Sequence, residues 1–294
     1  MISVHKFFLL ISFIVPTVLI SNRWEQLLEQ YKTGMDKNTY QLLVKQYKEF
    51  ASGKSPAIAN PIIKQIEIKE CGEPLIDLKS VNNARIGVMD GDLLIKAHSF
   101  KEDIDPRGEK YSFVRKGVYA ALCRMVKELD NLAPNFGYEP GDLEIKLFEG
   151  LRDLTTQKQM FDEKLASLRS KNPELTEQEA YEETCKWVSP YINNVPTHST
   201  GAAVDIALYC KKTCKFCDMG RFNTSGSAAP TFSDDSKLSI EQKKNRLLFL
   251  ISATRAGLTN YLNEFWHFSY GDKYDAYWRE SDSQKRFAKY NSVK

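Results

Sequence analysis

Two short stretches of the chain carry residues that can do metal chemistry. One runs from His198 through Gly201 to Asp205, and the other is Glu264-Phe265-Trp266-His267. Together they offer two imidazoles and two carboxylates in a chain with only four histidines. The remaining pair, His5 and His98, lie in an apolar N-terminal run and an ordinary polar stretch. Imidazole and carboxylate are the usual nitrogen and oxygen donors to zinc. A catalytic zinc site takes three protein ligands and keeps a fourth position open. His198, Asp205 and His267 make such a trio. Glu264 is then free to take a proton from the activated water and pass it to a leaving amine. Gly201 frees the backbone to turn between the first two ligands. Each half alone reads as a surface or core histidine beside an acid, so the conjunction carries the argument.

Strands must deliver these groups. Residues 203–209 alternate, with Val204, Ile206 and Leu208 on one face and Ala203, Asp205, Ala207 and Tyr209 on the other. A second strand is expected over Glu264–Tyr270. An offset of three puts side chains on opposite faces of a regular strand, so Glu264 and His267 converge only if the chain bends or bulges there. Leu143–Phe148 also alternates, and it hands Glu149-Gly150-Leu151-Arg152-Asp153 to a turn. Shorter strands are expected near Leu75–Leu78, Ile86–Val88 and Leu93–Ile95, separated by Asn82-Asn83 and Asp90-Gly91 turns. Apolar periodicity predicts a helix over Phe113–Leu132, ended by Pro134 and Gly137. A second helix should start on Thr155 or Thr156 and run to about Ser170. Capping boxes at Thr176/Glu179 and Ser239/Gln242 open two more, to about Trp187 and through Asn260. Residues 223–236 read as a Ser/Ala/Gly/Pro loop. This mixture argues α+β, with a central, mainly antiparallel sheet flanked by helices.

The 294 residues are 27% charged and 42% apolar, which suits one sizeable domain with appendages. Lys6 precedes a mostly apolar run to Ile20 that Pro16 interrupts, too short to span a bilayer comfortably. Residues 1–21 therefore read as a signal peptide or N-terminal anchor, which makes the body exported, as a periplasmic or secreted protein. Trp24, Leu27, Leu28 and Tyr31, then Tyr40, Leu43, Val44 and Tyr47, recur at helical spacing. Residues 22–60 are thus a helical extension before a main domain over 61–294. No other apolar run is long enough for a transmembrane segment. A net charge of +3 with no basic run excludes a nucleic-acid partner. Six cysteines in an exported chain allow disulfides, with Cys210, Cys214 and Cys217 placed to staple a loop near the site. Their spacing also matches the three cysteines of radical-SAM iron–sulfur enzymes. Export and the absence of a βα repeat argue against that reading.

Taken in order, the motifs resemble the zinc D-alanyl-D-alanine dipeptidases, the family of the vancomycin-resistance dipeptidase. That family is related in fold to the D-Ala-D-Ala carboxypeptidases and the hedgehog-type zinc domains. Its signatures are S-x-H-x-x-G-x-A-x-D and E-x-W-H, against His198–Asp205 and Glu264–His267 here. Glu149-Gly150-Leu151-Arg152 with Gln157 resembles its D-G-Y-R-P…K/Q turn, and Met219-Gly220-Arg221-Phe222 its M-G-x-x-F segment. The resemblance implies that His198, Asp205 and His267 hold one Zn²⁺ and that Glu264 is the catalytic base. It implies that Arg152 holds the carbonyl oxygen as negative charge develops there. The plain alternative for Arg152 is an ion pair with Asp153. Two departures stand at the substrate ends, where Pro196 replaces the family's Ser and Asn223 its acid. Phe222, Asn223 and Trp266 are the substrate-binding candidates. The implied substrate is a small D-amino-acid peptide, D-Ala-D-Ala first. The alternatives are a D,D-carboxypeptidase or other stem-peptide peptidase, and a non-catalytic zinc module. Glu264 speaks against the last, since a purely structural site has no use for a base.

Overall fold

The computed structural model describes residues 23–89, 108–220, 229–233, 237–280 and 285–293. The N-terminal periodicity becomes two helices, α1 (Arg23–Gln30) and α2 (Lys37–Ala51). Asp36 starts α2 by accepting from the Thr39 N–H. A single turn, α3 (Pro61–Lys64), follows on the Asn60 cap with proline in its first position. Next come β1 (Leu75–Asp77), β2 (Ile86–Val88), β3 (Phe113–Arg115), α4 (Lys116–Leu132) and β4 (Leu143–Glu149). Helices α5 (Leu154–Lys171) and α6 (Glu177–Cys185) lead to β5 (Ala203–Cys210) and β6 (Lys215–Phe216). The chain ends with α7 (Ile240–Arg255), β7 (Thr259–Asn260), β8 (His267–Ser269) and α8 (Lys273–Arg279).

The main sheet has the order β2-β4-β5-β8-β7, with β6 paired to β5. Among the described strands of this sheet only β2 against β4 is parallel; the other pairs are antiparallel. Helices α4 and α7 pack together over its apolar face, burying Val118, Leu122, Met125 and Leu129 with Leu247 and Ile251. β1 and β3 form a separate two-stranded ladder. The architecture is α+β, a sheet flanked by helices. Helices α1 and α2 share the same core. Trp24 and Tyr47 meet Phe232 edge-on at 5.2 and 5.4 Å, and Tyr31 stacks on Phe136 at 4.3 Å. Burying Leu27, Leu28 and Leu43 at roughly 1.5–3 kcal/mol each is enough to hold the extension on the domain. Among the described residues no helix is long and apolar enough to cross a membrane.

Several boundaries differ from the sequence expectation, each for a local reason. Residues 113–115 pair with β1 as a strand before α4 begins. Helix α5 starts on Asp153, not on Thr155 or Thr156, because the Asp153 carboxylate accepts from the Thr156 N–H at 2.8 Å. Helix α7 stops at Arg255, where Gly257 takes φ 94° and turns the chain into β7. Both predicted capping boxes form. All six cysteines are free thiols, so the expected staple is absent. Cys210 is buried on β5, whereas Cys214 sits exposed in the following turn. The 1–21 segment, His98, the Leu93–Ile95 strand and the Asp90-Gly91 turn lie outside the described residues.

Asp272 caps α8, accepting from the Asp275 N–H at 2.9 Å, and is fully buried. Burial pushes its carboxyl up to about 6 from 3.8. The folded value exceeds the unfolded one, so the unfolded chain releases this proton first. This group's contribution to stability therefore falls as pH rises from about 4 to about 6, and is level above that. Asp272→Asn keeps a capping side chain and removes the slope. It is expected to raise stability at pH 7 by about 3 kcal/mol, read as a higher urea midpoint whose excess vanishes near pH 4.

Candidate active site

β5 and β8 lie side by side with Asp205 directly opposite His267. Facing residues on neighbouring strands stand within side-chain reach, so register alone brings these two together. His198 arrives from a single 3-10 turn, His198–Thr200, just before β5. Gly201 closes that turn at φ 69°, its N–H donating to the His198 carbonyl at 3.0 Å. A side chain there would strain the backbone, and its Cβ would meet Leu75 Cδ2 at 2.8 Å. Gly201→Ala is expected to cost at least about 1–2 kcal/mol, read from a denaturant midpoint, and to weaken metal binding by displacing His198.

His198 Nε2, Asp205 Oδ1 and His267 Nδ1 converge on one point. The separations are 3.1 Å between the imidazoles, 3.4 Å from His198 to Asp205 and 3.1 Å from His267 to Asp205. Ligands held about 2.0–2.1 Å from a tetrahedral zinc stand about 3.3–3.4 Å apart, which is close to this triangle. His198 Nδ1 lies 2.8 Å from the Gly150 carbonyl. A carbonyl only accepts, so Nδ1 carries the proton and Nε2 presents a bare lone pair to the point of convergence. Asp205 Oδ1 is buried there without a well-aligned hydrogen bond. Such a set fits a divalent ion.

Glu264 is not on the strand. It sits in the turn before β8, where its N–H donates to the Tyr261 carbonyl and its own carbonyl accepts from the His267 N–H. That bend brings an acid and an imidazole three residues apart to the same side, with Glu264 Oε2 3.9 Å from His267 Nδ1. Asn260 fixes the bend, its buried side-chain amide donating to the carbonyls of Glu264, Phe265 and His267. Nothing in the sequence singled out Asn260, because its role depends on a turn that periodicity does not reveal.

Arg152 pairs with Glu149, not Asp153: Nε and Nη2 donate to the two Glu149 oxygens at 2.7 and 2.5 Å. Arg152 nonetheless lines the same cleft of about 200 Å³ as His198, Asp205, Glu264, Trp266 and His267. The other walls are Ala57-Ile58-Ala59, between α2 and α3, and residues 185–189 after α6. Tyr261 also lines it, its ring edge-on to His267 at 5.6 Å, and burial pushes its hydroxyl up to about 12. Neither the Ile58 wall nor Tyr261 was among the sequence candidates; apolar loop residues carry no chemical signal. Phe222 and Asn223 lie outside the described residues.

Burial and neighbouring charge set the ionisation of these groups. Burial opposes charge on Asp205, but the His198 and His267 imidazoles outweigh it and hold its carboxyl well below the usual range. Burial lowers His198, and Asp205 more than reverses this, leaving the imidazole above its ordinary value. Burial raises Glu264, with His267 only partly offsetting it.

Residues 158–290 match the family model of the D-ala-D-ala dipeptidases, peptidase family M15. A D-alanyl-D-alanine dipeptidase of Synechocystis sp. is 28% identical over 244 residues, covering 75% of this chain and 92% of that protein. Over these residues the chain is similar to the D-Ala-D-Ala dipeptidases. It is a peptidase, and the His/Asp/His triangle and Glu264 lie within the matched stretch. Two solved structures are loosely similar. VanYB in complex with D-Ala-D-Ala is 20% identical, covering 54% of this chain and 71% of that one at a TM-score of 0.30. The vancomycin-resistance D,D-pentapeptidase VanY with Zn(II) is 16% identical, covering 54% and 72% at 0.28. His198, Asp205 and His267 together could hold a metal ion, and Trp266 lines the same cleft.

Proposed function

We propose that this protein hydrolyses D-Ala-D-Ala or a closely related short D-amino-acid peptide, with one zinc ion held by His198, Asp205 and His267. The observation that carries the reading is the triangle of three donor atoms beside a separate, raised carboxyl in one small cleft. A zinc ion bound there supplies a Lewis acid that polarises a carbonyl and acidifies water. Glu264 takes the water's proton as it attacks the peptide carbonyl and returns it to the leaving amine. Arg152 meets the carbonyl oxygen as negative charge grows on it, with a fork of N–H groups already oriented. The Gly150 carbonyl accepts a hydrogen bond from His198 Nδ1–H and so keeps that ring turned toward the ion.

Cleft size favours a dipeptide over a longer stem peptide. About 200 Å³ lies below the roughly 300–1,000 Å³ of pockets for drug-sized ligands. The test is a comparison of D-Ala-D-Ala with the same sequence acylated at its N-terminus and with a pentapeptide stem. Preference for the free dipeptide by about tenfold or more in kcat/KM, or roughly 1.4 kcal/mol, is the expected result. Faster cleavage of the pentapeptide would make the protein a carboxypeptidase. Turnover of neither, with zinc bound, would make it a metal-binding module. The apolar run before residue 21 supports the further proposal that the body of the protein lies outside the cytoplasm, which cell fractionation checks.

A further inference from the structure

Arg152 is held by more than its ion pair. Its Nε and Nη2 donate to the two Glu149 oxygens, and its Nη1 donates to Gln157 Oε1 at 3.0 Å. Gln157 then donates through Nε2 to the Ser189 carbonyl at 2.6 Å, and Ser189 belongs to the cleft wall. Every side chain in this chain of contacts is at most slightly exposed; Gln157 is 1% exposed. A guanidinium has five N–H donors. Three are taken, leaving one on Nη1 and one on Nη2. The favoured partner of a free guanidinium is a carboxylate, gripped by two parallel hydrogen bonds. A dipeptide offers a carboxylate as well as the carbonyl to be cleaved, and both products are carboxylates. An unneutralised arginine in the cleft would therefore bind the wrong group.

We propose that Glu149 and Gln157 are positioning residues that present Arg152 as an oriented, charge-cancelled pair of N–H donors. Glu149 occupies the Nε/Nη2 edge of the guanidinium, one of the two edges a carboxylate can grip, and cancels the charge that would draw a carboxylate to the other. Gln157 locks the plane to the Ser189 wall. Arg152 then discriminates for a carbonyl oxygen that gains charge in the transition state and against free carboxylates. The proposal rests on the reading of Arg152 given above, but its first test needs no peptide.

Acetate is the probe, its binding to the zinc-loaded protein followed by titration calorimetry. Glu149→Gln keeps the size of the side chain and one acceptor while removing the charge. It is expected to bind acetate about tenfold more tightly than the wild type, and the double variant Glu149→Gln/Arg152→Gln to return to the wild-type level. Equal binding by Glu149→Gln and wild type overturns the proposal. So does tight binding retained in the double variant, since acetate would then sit on the metal. A structural role alone would not move acetate affinity. Should Glu149→Gln not fold, Gln157→Leu decides: kcat falls about tenfold or more with KM and acetate binding near wild type, or, if kcat is unchanged, the proposal fails. Failure to cleave D-Ala-D-Ala leaves the acetate result standing, so the two readings fail separately.

Discussion

Glu264→Ala is expected to lower kcat on D-Ala-D-Ala by about 10²–10⁴-fold, the usual contribution of a general acid–base group, while zinc content stays at that of the wild type. The geometry separates the two roles. Glu264 Oε2 stands 3.9 Å from His267 Nδ1, outside the 3.1–3.4 Å triangle of the three ligand atoms. Its side chain keeps 31% of its exposure, the most open of the four, and so faces the water and substrate side. Removing it leaves the ligand set whole. Glu264→Gln, which keeps the shape and loses the basicity, should be nearly as slow. Metal analysis beside steady-state kinetics checks both. A Glu264→Ala protein that loses zinc along with activity would make Glu264 a ligand.

Asp205→Ala is expected to do the reverse and lose the ion, with activity falling to background. Asp205 is the only anionic corner of the triangle and stands 3.4 and 3.1 Å from two imidazole nitrogens. Without it a divalent cation would rest on two neutral rings near the Arg152 guanidinium. Outer-shell partners of metal ligands already cost about 10–100-fold in affinity when removed, so loss of a ligand should exceed about 100-fold. Asp205→Asn should behave like the alanine variant, because the amide restores neither charge nor a strong donor. Equilibrium dialysis against zinc measures this directly. Full zinc retention in Asp205→Ala would place the ion elsewhere.

Much of the site was legible because its parts are local. His198 and Asp205 are joined by one tight turn and one strand, and a glycine at the turn shows in the sequence. Asp205 and His267 were both assigned to strands, but that these strands are neighbours with the two residues opposite each other is seen only in the structure. Glu264 shows where legibility ended. Spacing warned that it could not face His267 on a regular strand, yet gave no sign of the turn that resolves the conflict. That turn is fixed by Asn260, which acts through three backbone carbonyls. Arg152 was named as a site candidate, and the Asp153 ion pair weighed against that reading does not form; the pairing with Glu149 was not foreseen. Asp153 is adjacent in sequence and is spent on capping α5, whereas Glu149, the last residue of β4, lies three residues back and reaches the guanidinium across the loop. The Ile58 wall was beyond reach. Three small or apolar residues acquire meaning only when the core of α1 and α2 carries them to the cleft mouth. The helix limits missed at residue 113 and residue 255 were set by a strand partner and by Gly257, neither of which changes apolar periodicity.

The central claim is that one zinc ion on His198, Asp205 and His267 enables cleavage of D-Ala-D-Ala with Glu264 as base. The most direct measurement is release of D-alanine from D-Ala-D-Ala by the purified protein, before and after a chelator and after zinc is restored, beside Glu264→Ala. Release that the chelator stops, that zinc restores, and that Glu264→Ala lacks despite bound metal is the predicted result. Undiminished release from protein shown to be metal-free, or full activity in Glu264→Ala, would contradict it.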